Sequence, residues 1–220
     1  KTSNMKLYID CTSGISSDMI LKALTRMGGD GVWAKHVEIP EDSHNEDGHH
    51  HRSYKEVKAI VENSLMTDKI RATAYAIYDV IARAEAKVHG TTVEDVHFHE
   101  VGRDQAIRNI VGIAGAFNSM FISEVLCSEI HDGTGTVQCS HGEIPVPVPA
   151  VRAMMEEADY EFVTDEDVKT EMVTPSGLAV LMGIGAKYVP EMPEGVLLQD
   201  VTIKGKRDTG KPGLRVCLIA

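Results

Sequence analysis

A long apolar pattern with helical spacing, between Thr67 and Gly90, places the strongest single constraint on the fold of this chain. Apolar side chains recur there at the spacing of one helix face, and Gly90 is typical of a residue that ends a helix. A shorter helix is predicted just before it, because Ser53 and Glu56 have the spacing of a capping box. The apolar positions are Ile70, Ala74, Ile77, Ile81, Ala84 and Val88 in the long helix, and Val57, Ile60, Val61 and Leu65 in the short one.

Strands are predicted on both sides of these helices. Residues 5–10 form a β-rich run, followed by a hydroxyl-rich turn and a helix that stops at Gly28. Strand patterns also occur around residues 124–130 and along residues 195–220, where two alternating runs flank a polar glycine turn. The predicted fold class is therefore mixed α/β (α+β), with a strand–turn–helix start and several helices packed on a small mixed sheet.

The chain has no internal repeat and no clear linker, so we expect one domain over residues 5–220. Residues 40–52 lack any periodicity and are strongly polar, which predicts a mobile loop. Residues 1–4 precede Met5 and are interpreted as a possible expression remnant. Gly112 and Gly115 lie inside a helical pattern, and they predict close approach of a neighbouring element because glycine otherwise weakens a helix by about 1 kcal/mol.

The charge of the chain limits its partners. The formal net charge is −11 at pH 7, so nucleic acid and anionic membrane surfaces would repel it and metal cations would be attracted. The four cysteines are far apart and form no C-x-x-C pair, a pattern typical of reduced thiols. No apolar run has the length of a membrane span, and the first residues contain no secretory signal. We therefore expect a cytoplasmic protein that binds neither nucleic acid nor membrane.

Two histidine-containing segments are candidate metal sites. In His97-Phe98-His99-Glu100, alternation along an extended chain would place both imidazoles on one side, facing a single metal ion. Ordinary polar residues at the end of a strand would give the same pattern, and the spacing alone does not decide between the two. The acidic loop that contains His49, His50 and His51 would suit weak and rapid metal capture, with a plain solvated loop as the alternative.

Cys139 and His141 form a third candidate metal site. If the strand there is extended, the thiolate and the imidazole share one side and can reach a common ion. Thiolate is a soft ligand that would suit nickel, although a structural cysteine is the common alternative.

Two turns are candidate anion sites because each precedes a helix and exposes backbone N–H groups. The first turn contains Ser13, Gly14, Ser16 and Asp18, and the second contains Thr174, Ser176 and Gly177. Simple capping of the two helices explains both sequences equally well. Taken in isolation, each turn favours the capping interpretation.

Taken together and in this order, these segments resemble the LarC-type nickel insertion family, which builds the nickel-pincer nucleotide cofactor. The resemblance covers nearly the whole chain. The matching segments are Asp10 with the Ser13 turn, the histidine-rich loop, His97 to Gly102, Ile110 to Gly112, Gly133 to Pro149, Val173 to Gly177, Gly183 to Ala186, and Arg207-Asp208 with Pro212.

The resemblance implies a cytoplasmic enzyme of the lyase class, a nickel chelatase or cyclometallase. It would insert nickel into pyridinium-3,5-bisthiocarboxylic acid mononucleotide, with CTP and a divalent ion such as Mg or Mn. By the same resemblance, His97 and His99 would bind nickel, His99 and Glu100 would be catalytic, and Glu100 would orient a ligand or act as a base. The two hydroxyl-rich turns would hold the phosphate ends of the nucleotide.

The chain also departs from the family pattern. Gln105 and Asn109 stand where the family usually has aspartates, and Arg103 stands where a small residue is usual. The family's second half, associated with CTP, has no counterpart here, so a separate C-terminal partner is expected. A homo-oligomer is also expected. The alternative is a diverged, non-catalytic protein that binds nickel or the cofactor.

Overall fold

The computed structural model describes residues 4–40 and 51–220 and confirms the mixed α/β fold class. Within these residues there are six α-helices and eleven strands. The helices are α1 (Ser17–Arg26), α2 (Tyr54–Asn63), α3 (Asp68–His89), α4 (Asp104–Ser119), α5 (Pro149–Glu157) and α6 (Pro175–Gly183). The strands are β1 (Lys6–Asp10), β2 (Arg52–Ser53), β3 (His97–Phe98), β4 (Glu124–Cys127), β5 (Ile130–Asp132), β6 (Thr136–Cys139), β7 (Gly142–Pro145), β8 (Phe162–Thr164), β9 (Lys187–Tyr188), β10 (Leu197–Ile203) and β11 (Leu214–Ile219).

The main sheet has five strands in the order β10-β11-β1-β4-β9. The first strand, β1, lies at its centre, parallel to β4 and antiparallel to β11. The buried side chains Leu7 and Ile9 of β1 alternate along the strand and enter the main core. The antiparallel pair β10–β11 confirms the strand pairing predicted for residues 195–220.

The helix-end signals in the sequence are confirmed. Ser53 and Glu56 form a full capping box at α2, Thr67 caps α3, and Gly90 ends α3 in a left-handed conformation with φ of +64°. Leu65 was expected on the packed face of α2, and this is wrong: the helix ends at Asn63 and the Leu65 side chain is 77% exposed.

Helix α4 passes close to a short 3₁₀ turn, Val32–His36. A Cβ atom at Gly112 would lie 3.1 Å from the Cβ of Ala34, and one at Gly115 would lie 2.5 Å from Cδ1 of Trp33. The close approach predicted from these glycines is therefore confirmed. Across residues 4–40 and 51–220, no helix is long and apolar enough to cross a membrane.

Candidate functional site

Three histidines from separate elements converge at the C-terminal end of α3. His89 is the last residue of α3, His99 lies in the bend after β3, and His141 lies in the turn between β6 and β7. Each offers one ligand atom, and these atoms lie within 4.8 Å of one another. The ring centroids of His99 and His141 are 4.2 Å apart, and those of His89 and His141 are 5.2 Å apart. We call these three residues the histidine cluster; imidazole nitrogens in this arrangement suit a divalent transition metal.

His51 adds a fourth ring, because its centroid lies 4.4 Å from that of His99. The described end of the predicted histidine-rich loop therefore reaches the cluster. His49 and His50 lie outside the described residues. Strand β2 begins directly after His51, at Arg52, whose buried guanidinium donates to the carbonyl oxygen of Gly102 at 2.8 Å.

The surroundings keep His99 uncharged. Burial and the neighbouring imidazoles, His141 first among them, lower the pKa of His99 to about 4. Near neutral pH the ring therefore keeps a lone pair that a metal ion can use without displacing a proton.

Glu85 supports His89 from one helical turn earlier. Its carboxylate Oε2 lies 3.2 Å from Nε2 of His89, and the Glu85 side chain is 16% exposed. Burial, opposed by the attraction of His89, raises the pKa of this carboxyl. A proton on Nε2 would face Glu85 and leave the second ring nitrogen of His89 for a metal, the arrangement that commonly orients histidine ligands.

The structure separates the two histidines that the sequence placed together. Strand β3 ends at Phe98, whose ring is buried against Tyr54 and Tyr78, and the chain bends at His99. His97 is exposed, and among the described residues it is outside the group of close ligand atoms. Glu100 is exposed and lies on the wall of the cavity beside the cluster.

Cys139 and His141 do come close, but for a different reason than the one predicted. β6 ends at Cys139, and His141 lies in the turn that follows instead of further along the same strand. The Cys139 Sγ atom is 4.0 Å from Nδ1 of His141 and accepts a hydrogen bond from the His141 backbone N–H at 3.4 Å. The thiol is half-buried and lines the same cavity.

The histidine cluster opens onto a cavity of about 390 Å³, which we call the histidine cavity. More of its lining is apolar than polar. Val88 was predicted on the packed stripe of α3, and its 39% exposure is explained by its position on this wall. The apolar lining residues include Val88, Val101, Val137, Ile144, Val148 and Pro149.

A second cavity of about 490 Å³ adjoins the first, and its floor consists of the two predicted anion turns. The two turns are joined by backbone hydrogen bonds. The Ile15 N–H donates to the carbonyl oxygen of Met172 at 2.9 Å, and the Thr174 N–H donates to the carbonyl oxygen of Ile15 at 3.0 Å. The hydroxyl of Ser176 also donates to that of Ser17 at 2.9 Å. Helices α1 and α6 therefore present their N-termini to one space.

Two glycines permit this contact between the turns. Gly14 has φ of +82°, and a Cβ atom there would lie 2.1 Å from the carbonyl oxygen of Met172. A Cβ at Gly177 would lie 2.5 Å from the carbonyl oxygen of Ile15. Glycine is required at both positions, because a backbone atom occupies the space of any side chain.

Two of the hydroxyls predicted to bind an anion cap the helices instead, as the alternative interpretation expected. Ser16 Oγ accepts from the Met19 N–H at 3.2 Å, and Thr174 Oγ1 accepts from the Gly177 N–H at 3.1 Å. Asp18 forms an ion pair with Lys22 at 3.0 Å. Ser13 and Ser176 line the second cavity together with these residues.

Sequence reasoning missed the residue that lies between the two cavities. Glu171 lines both of them, its side chain is 8% exposed, and Arg207 forms an ion pair with it at 3.2 Å. Burial raises the pKa of Glu171 to about 7, although the nearby guanidinium acts in the opposite direction. No local pattern marks this residue, whereas His89 with Glu85 one turn earlier was a detectable pair.

Gln105 and Asn109, which stand where the family usually has aspartates, form a hydrogen bond with each other. The Gln105 side-chain N–H donates to Oδ1 of Asn109 at 2.8 Å, and Asn109 also lines the second cavity. The two side chains thus form a neutral pair on the surface of α4.

Comparison with known proteins gives one consistent result. A family model described as nickel insertion protein matches residues 29–219. The chain is 36% identical to a pyridinium-3,5-bisthiocarboxylic acid mononucleotide nickel insertion protein of Acetivibrio thermocellus, over 97% of this chain and 60% of that protein. Proteins of the same name from Alkaliphilus metalliredigens (33% identity, 83% of this chain, 52% of that protein) and Staphylococcus saprophyticus (32%, 84% and 52%) also match. The chain thus spans between half and three fifths of the length of these relatives, and no solved structure matches it.

Proposed function

The chain belongs to the nickel insertion protein family, and on that premise we propose that it takes part in inserting nickel into pyridinium-3,5-bisthiocarboxylic acid mononucleotide. The observation that carries the proposal is the convergence of His89, His99 and His141, with ligand atoms within 4.8 Å, on a cavity large enough for a pyridinium ring.

The chemistry of these ligands suits transfer better than permanent storage. Neutral imidazole binds nickel well, and the low pKa of His99 leaves its ring available near neutral pH. The two thiocarboxylate sulfurs of the substrate are softer donors than imidazole, so a nickel ion held by the cluster can pass to them. The apolar lining of the cavity would receive the flat ring while the sulfurs face the metal.

Within this proposal the predicted site residues keep separate roles. His89, His99 and His141 hold nickel, and Cys139 contributes a soft ligand at 4.0 Å from His141. Glu100 keeps the role of orienter or base. His97, His49, His50 and His51 remain predicted ligands that capture the metal, and the turns with Ser13, Gly14, Ser16, Asp18, Thr174, Ser176 and Gly177 are proposed to hold the nucleotide.

The finer features implied by the family are also part of the proposal. They are CTP use with Mg or Mn, a lyase-type cyclometallation, a homo-oligomer in the cytoplasm, and a separate partner chain.

Nickel binding tests the proposal directly. Isothermal titration of the full chain with Ni²⁺ should give an affinity that falls by more than about tenfold, or about 1.4 kcal/mol, in each of His99→Ala and His141→Ala. His36→Ala is the matched control, because His36 is exposed, makes an edge-to-face contact with Trp33 and is outside the histidine cluster. His97→Ala decides whether that residue contributes. Unchanged affinity in both cluster variants would refute the assignment.

The neutral Gln105–Asn109 pair favours a second candidate, a protein that holds nickel or the cofactor without performing the insertion. Two amides at positions usually acidic remove negative charge beside the site while preserving a hydrogen bond. Mass spectrometry of the chain incubated with precursor, nickel and CTP separates the two functions. Efficient formation of the nickel adduct by this chain alone would exclude the non-catalytic candidate.

A further inference from the structure

We propose that the second cavity binds a phosphate group, and that the loop between β10 and β11 (residues 204–213) supplies the cationic wall of this site. We identify this phosphate as that of the mononucleotide whose ring would lie in the histidine cavity. This identification rests on the proposed function.

The loop brings positive charge to a chain that is otherwise strongly acidic. Lys204, Lys206, Arg207 and Lys211 all line the second cavity, although the formal net charge of the chain is −11. Arg207 is paired with Glu171. Lys204 and Lys206 are exposed and form no ion pair with any residue in 4–40 or 51–220. Two ammonium groups are therefore available for an anionic ligand.

Two ion pairs within the loop hold it in place. Arg207 pairs with Glu171, and Lys211 pairs with Asp165 at 3.4 Å. Asp165 is itself bonded to His131 at 2.9 Å. Gly205 packs over α1, where its Cβ position lies 3.2 Å from Sδ of Met19. The lysines are thus presented by an anchored segment next to the N-terminus of α1.

The two turns that line the cavity provide backbone donors. Helices α1 and α6, of ten and nine residues, both begin at the floor of the cavity, so the positive ends of their dipoles point into it. No hydrogen bond within the described part of the chain uses the backbone N–H of Ser17, Asp18 or Ser176. Unused N–H groups at a helix N-terminus are typical phosphate ligands.

The carboxylates of the cavity do not cancel this charge. Asp18 is neutralised by Lys22, and Glu171 is neutralised by Arg207. Asp208 accepts a hydrogen bond from the Gly210 N–H at 3.2 Å. Asp208 keeps its negative charge, so Lys204 and Lys206 together leave a net charge of about one positive in the cavity, beside two helix N-termini, for an anionic ligand.

The two cavities share part of their walls, which favours a single ligand spanning both. Glu171, Thr174, Ser176 and Arg207 line each of them. A pyridinium mononucleotide has a flat ring at one end and a phosphate at the other. Its ring would face the histidine cluster while its phosphate meets the lysines, so each end would meet groups of matching chemistry.

Isothermal titration of the full chain tests this site without requiring turnover. The probes are inorganic phosphate, nicotinic acid mononucleotide and CTP, each against wild type, Lys204→Ala/Lys206→Ala and the control Lys187→Ala. Lys187 is exposed on β9, at the opposite edge of the sheet from β10. We expect the double variant to bind nicotinic acid mononucleotide at least about tenfold more weakly, since each lysine forms a charge-assisted hydrogen bond. Its nickel affinity should be unchanged.

The outcomes distinguish this proposal from the proposed function. Absence of phosphate binding by wild type, or equal binding by wild type and the double variant, would overturn the site. A mononucleotide that binds no more tightly than inorganic phosphate, or less tightly than CTP, would overturn the spanning ligand. Loss of nickel affinity in His99→Ala with phosphate binding intact would show that the two sites fail independently.

Discussion

Replacing Glu171 by glutamine should stabilise the protein at alkaline pH, and the size of the effect follows from the burial of this carboxyl. The Glu171 pKa is raised from 4.5 to about 7 in the folded protein, and the side chain is 8% exposed. These two pKa values differ by about 2.5, and a difference of one in pKa corresponds to about 1.36 kcal/mol, so the effect is about 3 kcal/mol. Glutamine keeps the shape of the side chain and cannot ionise.

The sign of the effect follows from proton binding. Between the two pKa values the folded protein retains a proton that the unfolded chain releases, so the contribution of Glu171 to stability falls as pH rises through this window. The benefit of Glu171→Gln should therefore grow by about 2 to 3 kcal/mol between about pH 5 and about pH 8. Because Arg207 is 47% exposed, water can compensate for its lost partner.

Urea unfolding of wild type and variant at both pH values measures this difference. Glu166→Gln is a matched control, because Glu166 is an exposed glutamate in the turn that precedes Glu171. A stability difference between wild type and Glu171→Gln that does not change with pH would refute the reasoning, and it would place Glu171 in a wetter site than the one described.

Two further predictions concern the framework around the cavities. Gly14→Ala should lower the free energy of unfolding by at least about 2 kcal/mol, because the new Cβ would meet Met172 O at 2.1 Å; Gly28→Ala, also at positive φ but with open space around it, should cost only about 1 kcal/mol in the same urea experiment. Burial alone would lower the pKa of His131, but hydrogen bonds to its two carboxylate partners raise it. Its stabilisation is therefore present below the unfolded pKa of about 6.5 and lost as pH rises through the folded value, so thermal melting should show a larger loss for His131→Gln at about pH 6 than at about pH 9.

The local elements could be predicted from the sequence because their signals lie within a few residues of each other. The capping box of Ser53, the left-handed Gly90 and the proline at the start of α6 are fixed by neighbours along the chain. The sheet order was not accessible in the same way. The pairing of β1 with β11 joins opposite ends of the sequence, and no local pattern encodes it.

The site shows the same division. His99 and His141 were each recognised in a separate motif, but their meeting with His89 depends on how α3, β3 and the β6–β7 turn pack. The alternation argument for His97 assumed a strand that continues through His99, and the observed bend removes that premise. Glu171 carries no sequence signal at all, because its importance comes from burial.

The isolated parallel β-bridge between Ile15 and Val173 delays completion of the second cavity while the protein is being synthesised. Ser17 and Ser176, which touch across it, are 159 positions apart in the chain. During translation the first turn leaves the ribosome long before its counterpart exists, and closing so long a loop is among the slower events of folding. A nascent chain therefore lacks this side of the second cavity until α6 has docked, and a product truncated before α6 would lack it permanently.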